Sequence, residues 1–294
     1  MTVSRDQVTV VIPVLNEERA IGVVLRELKE HGYGNVLVVD GYSTDKTVEV
    51  ANDNGVRVVY QHGRGKTGAL RTAVERVDTP YLVVIDGDAT YDPGGIERLL
   101  AHADRYDQVI GYRAEGRKNI PWLHRLGNWL ITKAFNLLMG TGLSDVCSGI
   151  WLLRTEKARQ LELNSSGFGL EVEVAAQVRD SVTEVPIGYR SRVGKRKLGT
   201  WREGLRILTS LVRLARAYNP VLLFSAVASL SIIPACIILG WVGLEVLLWH
   251  RWRETWLMLG TMLLLFATQA VAVSTISILL RRMERRIMES LRKG

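Results

Sequence analysis

The sequence contains very little cysteine. Its 294 residues include only Cys147 and Cys236, and Cys236 lies inside a long apolar run. Two thiols cannot build the disulfide framework of a small secreted domain, so we expect no disulfide and a reducing compartment. Internal repeats are also missing, which excludes repeat architectures. No apolar signal segment begins the sequence, and we therefore expect residues 1–200 to remain in the cytoplasm.

Two long apolar runs stand near the C-terminal end of the sequence. They cover residues 221–249 and 256–280 and are separated by the polar break HRWRET. Each run exceeds the ~20 residues that cross a bilayer. Neither shows the polar stripe of a helix at the surface of a soluble domain. The runs predict a two-helix transmembrane hairpin, and a buried hairpin of a soluble protein is the alternative.

The positive charge of the chain is local. Residues 190–216 hold nine Lys or Arg and one Glu, and residues 281–294 hold six and two, so the rest of this +8 chain carries a net charge of −4. The basic segments flank the hairpin, which favours a cytoplasmic location for both of its outer ends and contact with the anionic headgroups of a lipid bilayer. Because no nucleic-acid recognition motif accompanies the charge, we expect no nucleic-acid partner.

Strand and helix patterns alternate through the first third of the chain. Helical patterns separate five apolar strands, which are predicted at residues 8–13, 35–40, 56–61, 81–86 and 108–113. Continuous apolar strands alternating with helices predict an α/β fold, with a mostly parallel sheet that has helices on both faces. Such sheets bind ligands at the carboxyl ends of their strands. Asp40, Asp86 and Arg113 fall at these ends.

The stretch YLVVIDGDATYDP places two carboxylates, Asp86 and Asp88, at the end of a buried strand. Neighbouring carboxylates repel each other and are costly to dehydrate together. A divalent cation offsets both effects, and such cations take one or two carboxylates together with substrate phosphates. The pattern predicts a Mg²⁺ or Mn²⁺ site with a bound diphosphate, and a solvated turn is the alternative for the tripeptide taken alone.

A second phosphate-binding signal is the segment GRGKTG at residues 63–68. It resembles a P-loop, but that motif requires glycine at a position where this chain has Tyr60. We interpret the segment as a glycine-rich turn near the nucleotide, with Lys66 as a diphosphate contact. An exposed basic turn is the alternative.

Seven motifs resemble those of known glycosyltransferases. VVIPVLNEE, VLVVDGYSTDKT and VVIDGDATYDP look like the nucleotide-sugar motifs of family-2 inverting glycosyltransferases with the GT-A fold. The narrower resemblance, to the polyprenyl-phosphate (dolichyl-phosphate) sugar synthases, lies in IGYR, HRLGNWLITKAFNLLMGTGLSDVCSG, GFGLEVEVA and EVPIGYRSRVGKRKLG. The similarity covers residues 8 to about 200. It implies a GT-A catalytic domain over residues 1–199, followed by an amphipathic interfacial helix at 200–219 and the hairpin with its basic tail at 220–294. Residues 121–139 are also amphipathic and typical of the membrane interface, although core helices show such spacing too.

The resemblance also implies roles for individual residues on the donor side. Pro13 and Glu17 would border the base and ribose, and Asp40 would accept a hydrogen bond from the base. Asp86 and Asp88 would hold the metal ion and the diphosphate. The family usually has Asp-Asp-Gly-Ser where this chain has Asp-Gly-Tyr-Ser at residues 40–43, and this departure lies in the region that recognises the base.

The acceptor side is predicted from charge. A lipid phosphate that approaches a diphosphate requires several cations, and arginine suits phosphate through its planar fork of donors. By position and resemblance, the expected ligands of the acceptor phosphate are Arg113, Arg125, Arg192 and Lys197. The expected catalytic residues are Asp88, Arg113 and Arg192. Because a phosphate monoester is already ionised, it needs no general base. Glu171 is a candidate contact to the sugar or the acceptor loop, with helix capping as its alternative.

These inferences predict a multi-pass membrane enzyme with a cytoplasmic catalytic domain. It would transfer one sugar, with inversion, from a nucleotide diphosphate sugar to dolichyl or another polyprenyl phosphate. UDP-GlcNAc or UDP-Glc is favoured over GDP-Man by resemblance alone. Elongation of a lipid-linked oligosaccharide or polysaccharide is the alternative reaction, and a nucleotide-sugar-binding membrane scaffold is the non-enzyme alternative. The sequence leaves the oligomeric state open.

Overall fold

The apolar runs of the N-terminal half form a seven-stranded sheet in a computed structural model, which describes residues 3–163, 169–193, 209 and 220–293. The sheet order is β3-β2-β1-β4-β6-β5-β7. Every neighbouring pair is parallel except those of β6, which runs antiparallel to β4 and β5. The strands are β1 (Val8–Val14), β2 (Val36–Asp40), β3 (Arg57–Tyr60), β4 (Tyr81–Val84), β5 (Gln108–Glu115), β6 (Trp151–Arg154) and β7 (Val182–Gly188).

The five predicted strands are confirmed, and two further strands were missed. The missed strands are β6 and β7. The first, of four residues, lies beyond the stretch of alternating strand and helix patterns from which the other five were predicted. The second contains Pro186, a residue that usually argues against a strand; here the strand pairs only with β5 among the described strands. With β6 antiparallel, the sheet is mostly parallel, as expected.

Seven helices accompany the sheet in the described part of the first unit, which spans residues 1–211. The first of them buries Ile21, Val24, Leu25 and Leu28 against the sheet, a spacing typical of an amphipathic helix. It is followed by Gly32 at φ +77°, a left-handed conformation that favours glycine. The helices are α1 (Ile21–Glu30), α2 (Thr47–Asp53), α3 (Gly65–Val74), α4 (Ile96–Leu100), α5 (Trp122–Met139), α6 (Thr155–Gln160) and α7 (Leu170–Gln177).

The second unit, residues 212–294, contains two long helices, α8 (Pro220–Trp249) and α9 (Glu254–Lys293). Their segments Leu223–Trp249 and Glu254–Leu280 are long and apolar enough to cross a membrane. The helices contact each other through an edge-on pair of rings, Trp241 and Trp256, with centroids 5.9 Å apart. The predicted apolar hairpin is therefore present.

The two predicted interfacial helices differ in outcome. Residues 121–139 do form a helix, α5, and large apolar side chains on it are exposed: Trp122, Leu126, Trp129, Leu130 and Leu137. That exposure fits a helix that lies against a lipid surface better than one in a protein core. The predicted helix at 200–219 falls outside the described residues, apart from Thr209.

Candidate functional site

The loops after β1 and β2 are joined by hydrogen bonds at the carboxyl edge of the sheet. The backbone N–H of Asn16 donates to Ser43 Oγ at 2.8 Å, and the N–H of Thr44 donates to Asn16 Oδ1 at 2.7 Å. The N–H of Glu17 donates to Thr47 Oγ1 at 2.8 Å. These bonds fix the backbone of Glu17, so its carboxylate is held beside the strand ends.

Asp40 is fully buried at the end of β2, where its carboxylate organises a turn. Ser43 donates to it through its backbone N–H at 2.9 Å and through its hydroxyl at 2.5 Å. The resemblance implied that Asp40 accepts a hydrogen bond from the nucleobase. In the structure its carboxylate first stabilises the loop that would border that base, and the predicted contact with the base remains a prediction.

Asp86 and Asp88 follow β4 at the same edge, as the sequence pattern predicted. Thr90 holds Asp88, donating to Oδ1 from its hydroxyl at 2.6 Å and from its backbone at 3.2 Å. Burial and the neighbouring charge of Asp86 raise the pKa of Asp88 above its ordinary value. The ionised pair therefore carries an electrostatic cost that a bound cation would reduce.

Gly149 allows the backbone to pass directly beside Asp86. A Cβ atom at this position would overlap the Asp86 carboxylate. The backbone N–H of Gly149 donates to the buried Tyr91 hydroxyl at 2.8 Å, which holds the glycine in place. Asp86 is thus confined between this segment and Lys66.

Lys66 lies between two carboxylates. Its Nζ is 2.6 Å from Asp86 Oδ1 and 3.1 Å from Glu171 Oε1. Burial disfavours the charge on Lys66, but the two carboxylates outweigh burial and raise the pKa of the ammonium group. Lys66 is charged and placed beside the acidic pair, where a diphosphate contact was predicted. Glu171, from the first turn of α7, holds Lys66 here, and no local pattern predicts this contact.

Arg192 reaches the acidic pair from the segment after β7. One nitrogen of its guanidinium, Nη2, donates to Glu17 Oε1 at 2.5 Å, and Nη1 lies 3.4 Å from Asp88 Oδ2. Its Nε is buried and has no hydrogen-bond partner among the described residues. The guanidinium therefore retains a donor for a further acceptor, as a phosphate ligand requires.

The segment 189–193 is aligned along residues 88–91, which explains the position of Arg192. Tyr189 pairs with Tyr91 in an antiparallel bridge, and the N–H of Arg190 donates to the Thr90 carbonyl at 2.7 Å. The Arg190 side chain then binds Glu27 at 2.7 Å and Asp92 at 2.9 Å. This anchoring fixes the backbone that leads to Arg192 and so supports its contact with Asp88.

Arg113 has a different environment from the one that the sequence suggested. It is buried on β5, and its guanidinium makes a bidentate pair with Asp145 at 2.5 and 2.7 Å. The guanidinium also lies 5.5 Å from the Tyr189 ring centroid. Two of its nitrogens, Nε and Nη2, donate to the buried carboxylate of Asp145. Arg113 therefore has a structural role, and its contact with the acceptor phosphate remains a prediction. The sequence did not identify Asp145, because nothing local marks it as the partner of a residue 32 positions away.

We expect Arg113→Ala to destabilise the first unit by about 3–5 kcal/mol, because it leaves the Asp145 carboxylate buried without its ion-pair partner. The measurement is thermal or chemical unfolding of the purified full chain, with Arg125→Ala as the exposed control. A double change, Arg113→Met with Asp145→Leu, removes both charges and should recover most of the stability. A wild-type melting temperature in Arg113→Ala would contradict a structural role.

The remaining predicted residues are Pro13, Arg125 and Lys197. Pro13 is the second-last residue of β1, opposite Val39 of β2. Arg125 is exposed near the start of α5, and no hydrogen bond or ion pair joins it to the acidic pair within the described ranges. Lys197 lies outside the described residues. The structure therefore brings together Glu17, Lys66, Asp86, Asp88, Glu171 and Arg192.

The acidic pair fits a hard divalent cation. In the described part of the chain, no group of three or more His, Cys, Asp or Glu side chains is arranged to hold a metal ion by itself. Two carboxylates completed by substrate phosphates are the usual protein contribution to a Mg²⁺ or Mn²⁺ site. The close backbone approach at Gly149 and the electrostatic cost at Asp88 are consistent with such a site.

Comparison with protein families gives a match to glycosyl transferase family 2 over residues 9–162. The chain is 37% identical over 235 residues to glycosyltransferase AglJ of Haloferax volcanii, covering 77% of this chain and 78% of that relative. It is 35% identical over 214 residues to a dolichyl-phosphate hexose transferase of the same organism, covering 71% of this chain and 93% of the relative.

Solved structures show the same fold. The chain aligns with glucosyl-3-phosphoglycerate synthase of Mycobacterium tuberculosis, solved with Mn²⁺, UDP and phosphoglyceric acid, at a TM-score of 0.60 and 22% identity. The alignment covers 72% of this chain and 78% of that one. The predicted GT-A-like α/β fold is confirmed by this likeness.

Proposed function

Because the chain belongs to glycosyl transferase family 2, we propose that it transfers a single sugar from a nucleotide diphosphate sugar to a polyprenyl phosphate. The observation that carries the proposal is the convergence of Asp86 and Asp88 with the cations Lys66 and Arg192 at the carboxyl edge of the sheet. This arrangement suits two anionic substrates, a donor with a diphosphate and an acceptor with an attacking phosphate.

The donor side is assigned to the ends of β1, β2 and β4. Asp86 and Asp88 would hold a divalent cation, which when bound neutralises the diphosphate as it leaves. Lys66 is charged beside Asp86 and would bind a diphosphate oxygen. The structurally similar glucosyl-3-phosphoglycerate synthase was solved with UDP and Mn²⁺. This supports UDP-GlcNAc or UDP-Glc as the preferred donor over GDP-Man.

The acceptor side requires cations and no general base. A phosphate monoester is ionised near neutral pH, so its oxygen attacks the anomeric carbon directly and no proton has to be removed. A new bond forms between that oxygen and the anomeric carbon. The bond from the carbon to the diphosphate breaks, and the nucleoside diphosphate leaves with the electron pair. Attack from the opposite side inverts the anomeric centre.

Arg192 is the residue best placed to offset the repulsion between the two anions. Its guanidinium contacts Asp88 and carries an Nε donor without a partner. Catalysis then consists of positioning and charge stabilisation, which together can supply most of a rate enhancement. Arg125 and Lys197 remain proposed ligands of the acceptor phosphate, and Arg113 a proposed ligand within a buried pair.

The apolar helices of the second unit support a polyprenyl phosphate, which is a membrane lipid, as the acceptor. Two helices with apolar spans are joined by a short loop, and a dolichyl-phosphate hexose transferase is among the relatives. We propose that the hairpin inserts in the membrane, and that the catalytic domain, 1–199, and the interfacial segment, 200–219, are cytoplasmic. The basic segments at 190–216 and 281–294 support this orientation through the positive-inside rule.

The deciding experiment uses the purified full chain, Mn²⁺, dolichyl phosphate and a panel of labelled nucleotide sugars without any sugar primer. We expect label from one donor, preferentially a UDP-sugar, to enter the organic extract as a product that mild acid releases. Transfer only when a lipid-linked oligosaccharide is added would instead establish the elongating alternative. Binding of nucleotide sugars with no transfer to either acceptor would establish the scaffold alternative.

A further inference from the structure

Two tyrosine rings lie stacked and exposed at the carboxyl ends of β2 and β3. The ring centroids of Tyr42 and Tyr60 are 5.5 Å apart and their planes differ by 20°. The side chains are 61% and 54% exposed. Tyr60 is paired in register with Asp40, and Tyr42 belongs to the turn that Asp40 organises. The stacked pair therefore borders the edge where the donor nucleotide is proposed to bind.

The backbone of Tyr42 is held in an unfavourable conformation. Its φ is +66°, in the left-handed region where bulky side chains are rare and glycine is favoured. The turn imposes this conformation from both sides. The N–H of Gly41 donates to the Val14 carbonyl at 2.8 Å, and the N–H of Ser43 donates to Asp40 Oδ2 at 2.9 Å. Strain of this kind, in a fully determined turn, concentrates at functional sites.

Polar groups that suit a heterocyclic ring lie beside the aromatic pair. Asp40 is fully buried beneath the turn, and the buried Gln61 follows Tyr60 directly. The Gln61 side-chain amide lies close to Gly41, and the backbone N–H of Gln61 donates to the Asp40 carbonyl at 2.9 Å. An exposed flat aromatic surface next to buried hydrogen-bonding groups matches a nucleobase, which has two π faces and a polar edge.

We propose that Tyr42 and Tyr60 form an aromatic platform on which the nucleobase of the donor stacks. The inference rests on the proposed function only in requiring that the chain binds a nucleotide diphosphate. The nucleobase would stack on the platform equally well in the bound ground state and in the transition state. This stacking contributes to the affinity for the nucleotide and leaves the rate of the bound complex unchanged.

The experiment measures nucleotide binding to the full chain in detergent with Mn²⁺, by calorimetry, with UDP and GDP as probes. We expect Tyr42→Gly and Tyr60→Ala each to weaken the tighter of the two nucleotides by about tenfold, the typical effect of losing one base-stacking ring. Glycine at position 42 suits the positive φ, so this variant removes the ring without adding backbone strain. Tyr42→Phe and Tyr60→Phe keep the rings and should retain the affinity.

Two comparisons make the result specific to the base. Inorganic pyrophosphate, which has no base, should bind Tyr42→Gly as tightly as the wild type. Trp122→Ala removes an exposed aromatic ring from α5 and should leave nucleotide affinity unchanged. In the transfer assay the platform variants should show a raised KM for the donor with the same kcat.

The outcomes separate the platform from the proposed function. Wild-type nucleotide affinity in both Tyr42→Gly and Tyr60→Ala overturns the platform even if sugar transfer to polyprenyl phosphate is observed. Weakened nucleotide binding in these variants supports the platform even if transfer to polyprenyl phosphate is never seen. Equal weakening of pyrophosphate and nucleotide overturns it, because the loss would then lie in the phosphate site. No binding of either nucleotide to the wild type overturns both proposals.

Discussion

Replacing Asp88 by alanine is expected to lower metal-dependent sugar transfer by at least about 10²–10³-fold, the typical loss when one preorganised charge-stabilising group is removed. Asp88 lies beside Asp86 and contacts Arg192 at 3.4 Å. Without it the proposed cation would lose one of its two protein ligands and bind less tightly, so less positive charge would stabilise the leaving diphosphate. The measurement is kcat/KM for the donor across a Mn²⁺ titration, and raised Mn²⁺ should restore only part of the activity.

The matched control for this variant is Asp78→Ala. Asp78 is an exposed carboxylate before the opposite end of the same strand, β4, and its removal should leave transfer unchanged.

Stability gives an independent check through Asp88→Asn. Because the pKa of Asp88 is raised in the folded chain, its ionised form opposes folding at neutral pH, and the associated stabilisation exists only at lower pH. The neutral amide should therefore not lower the melting temperature. Full activity in Asp88→Ala would refute the site.

Arg192→Ala is expected to reduce kcat/KM for polyprenyl phosphate by about 10²-fold, since one charge-assisted contact in a partly buried site is lost. Arg192 contacts both Glu17 and Asp88 and has an Nε donor without a partner. Without Arg192, the incoming phosphate would face the carboxylates of Glu17 and Asp88 without the guanidinium that contacts both. The effect should appear in both kcat and the acceptor KM, while the affinity for UDP changes less.

Lysine and a remote arginine provide the comparisons for this prediction. Arg192→Lys keeps the charge but loses the planar fork, so its activity should fall between those of the wild type and the alanine variant. Arg179→Ala removes an arginine whose charged partner is the exposed Asp180, at 3.7 Å, and should have no effect. If Arg192→Ala transferred sugar at the wild-type rate, the acceptor phosphate would have to be bound elsewhere.

The sequence predicted the features that depend on local pattern. Apolar runs followed by acidic residues predicted β1, β2 and β4 and placed Asp86 and Asp88 at a strand end, since an apolar run and its polar boundary depend on neighbouring residues. The apolar hairpin was equally evident, because crossing a bilayer requires a long run of one kind of residue. The resemblance to family-2 enzymes added roles for Pro13 and Glu17 that no pattern would supply.

Features that depend on distant contacts were missed. The partner of Arg113 is Asp145, and Glu171 binds Lys66 across 105 positions of the chain. Such pairs arise when the sheet order places separate loops together, and the order itself could not be derived without the antiparallel β6. The stacked tyrosines had the same origin, because β2 and β3 are neighbours in the sheet while Tyr42 and Tyr60 are not neighbours in the chain.

A crystal structure of the full chain with Mn²⁺ and UDP, in which manganese is located by its anomalous scattering, decides whether Asp86 and Asp88 hold the metal ion. We expect a manganese peak bonded to Asp86 or Asp88 and to diphosphate oxygens, with Lys66 or Arg192 on the phosphates. A nucleotide bound with its diphosphate remote from these carboxylates, and no manganese beside them, would contradict this assignment.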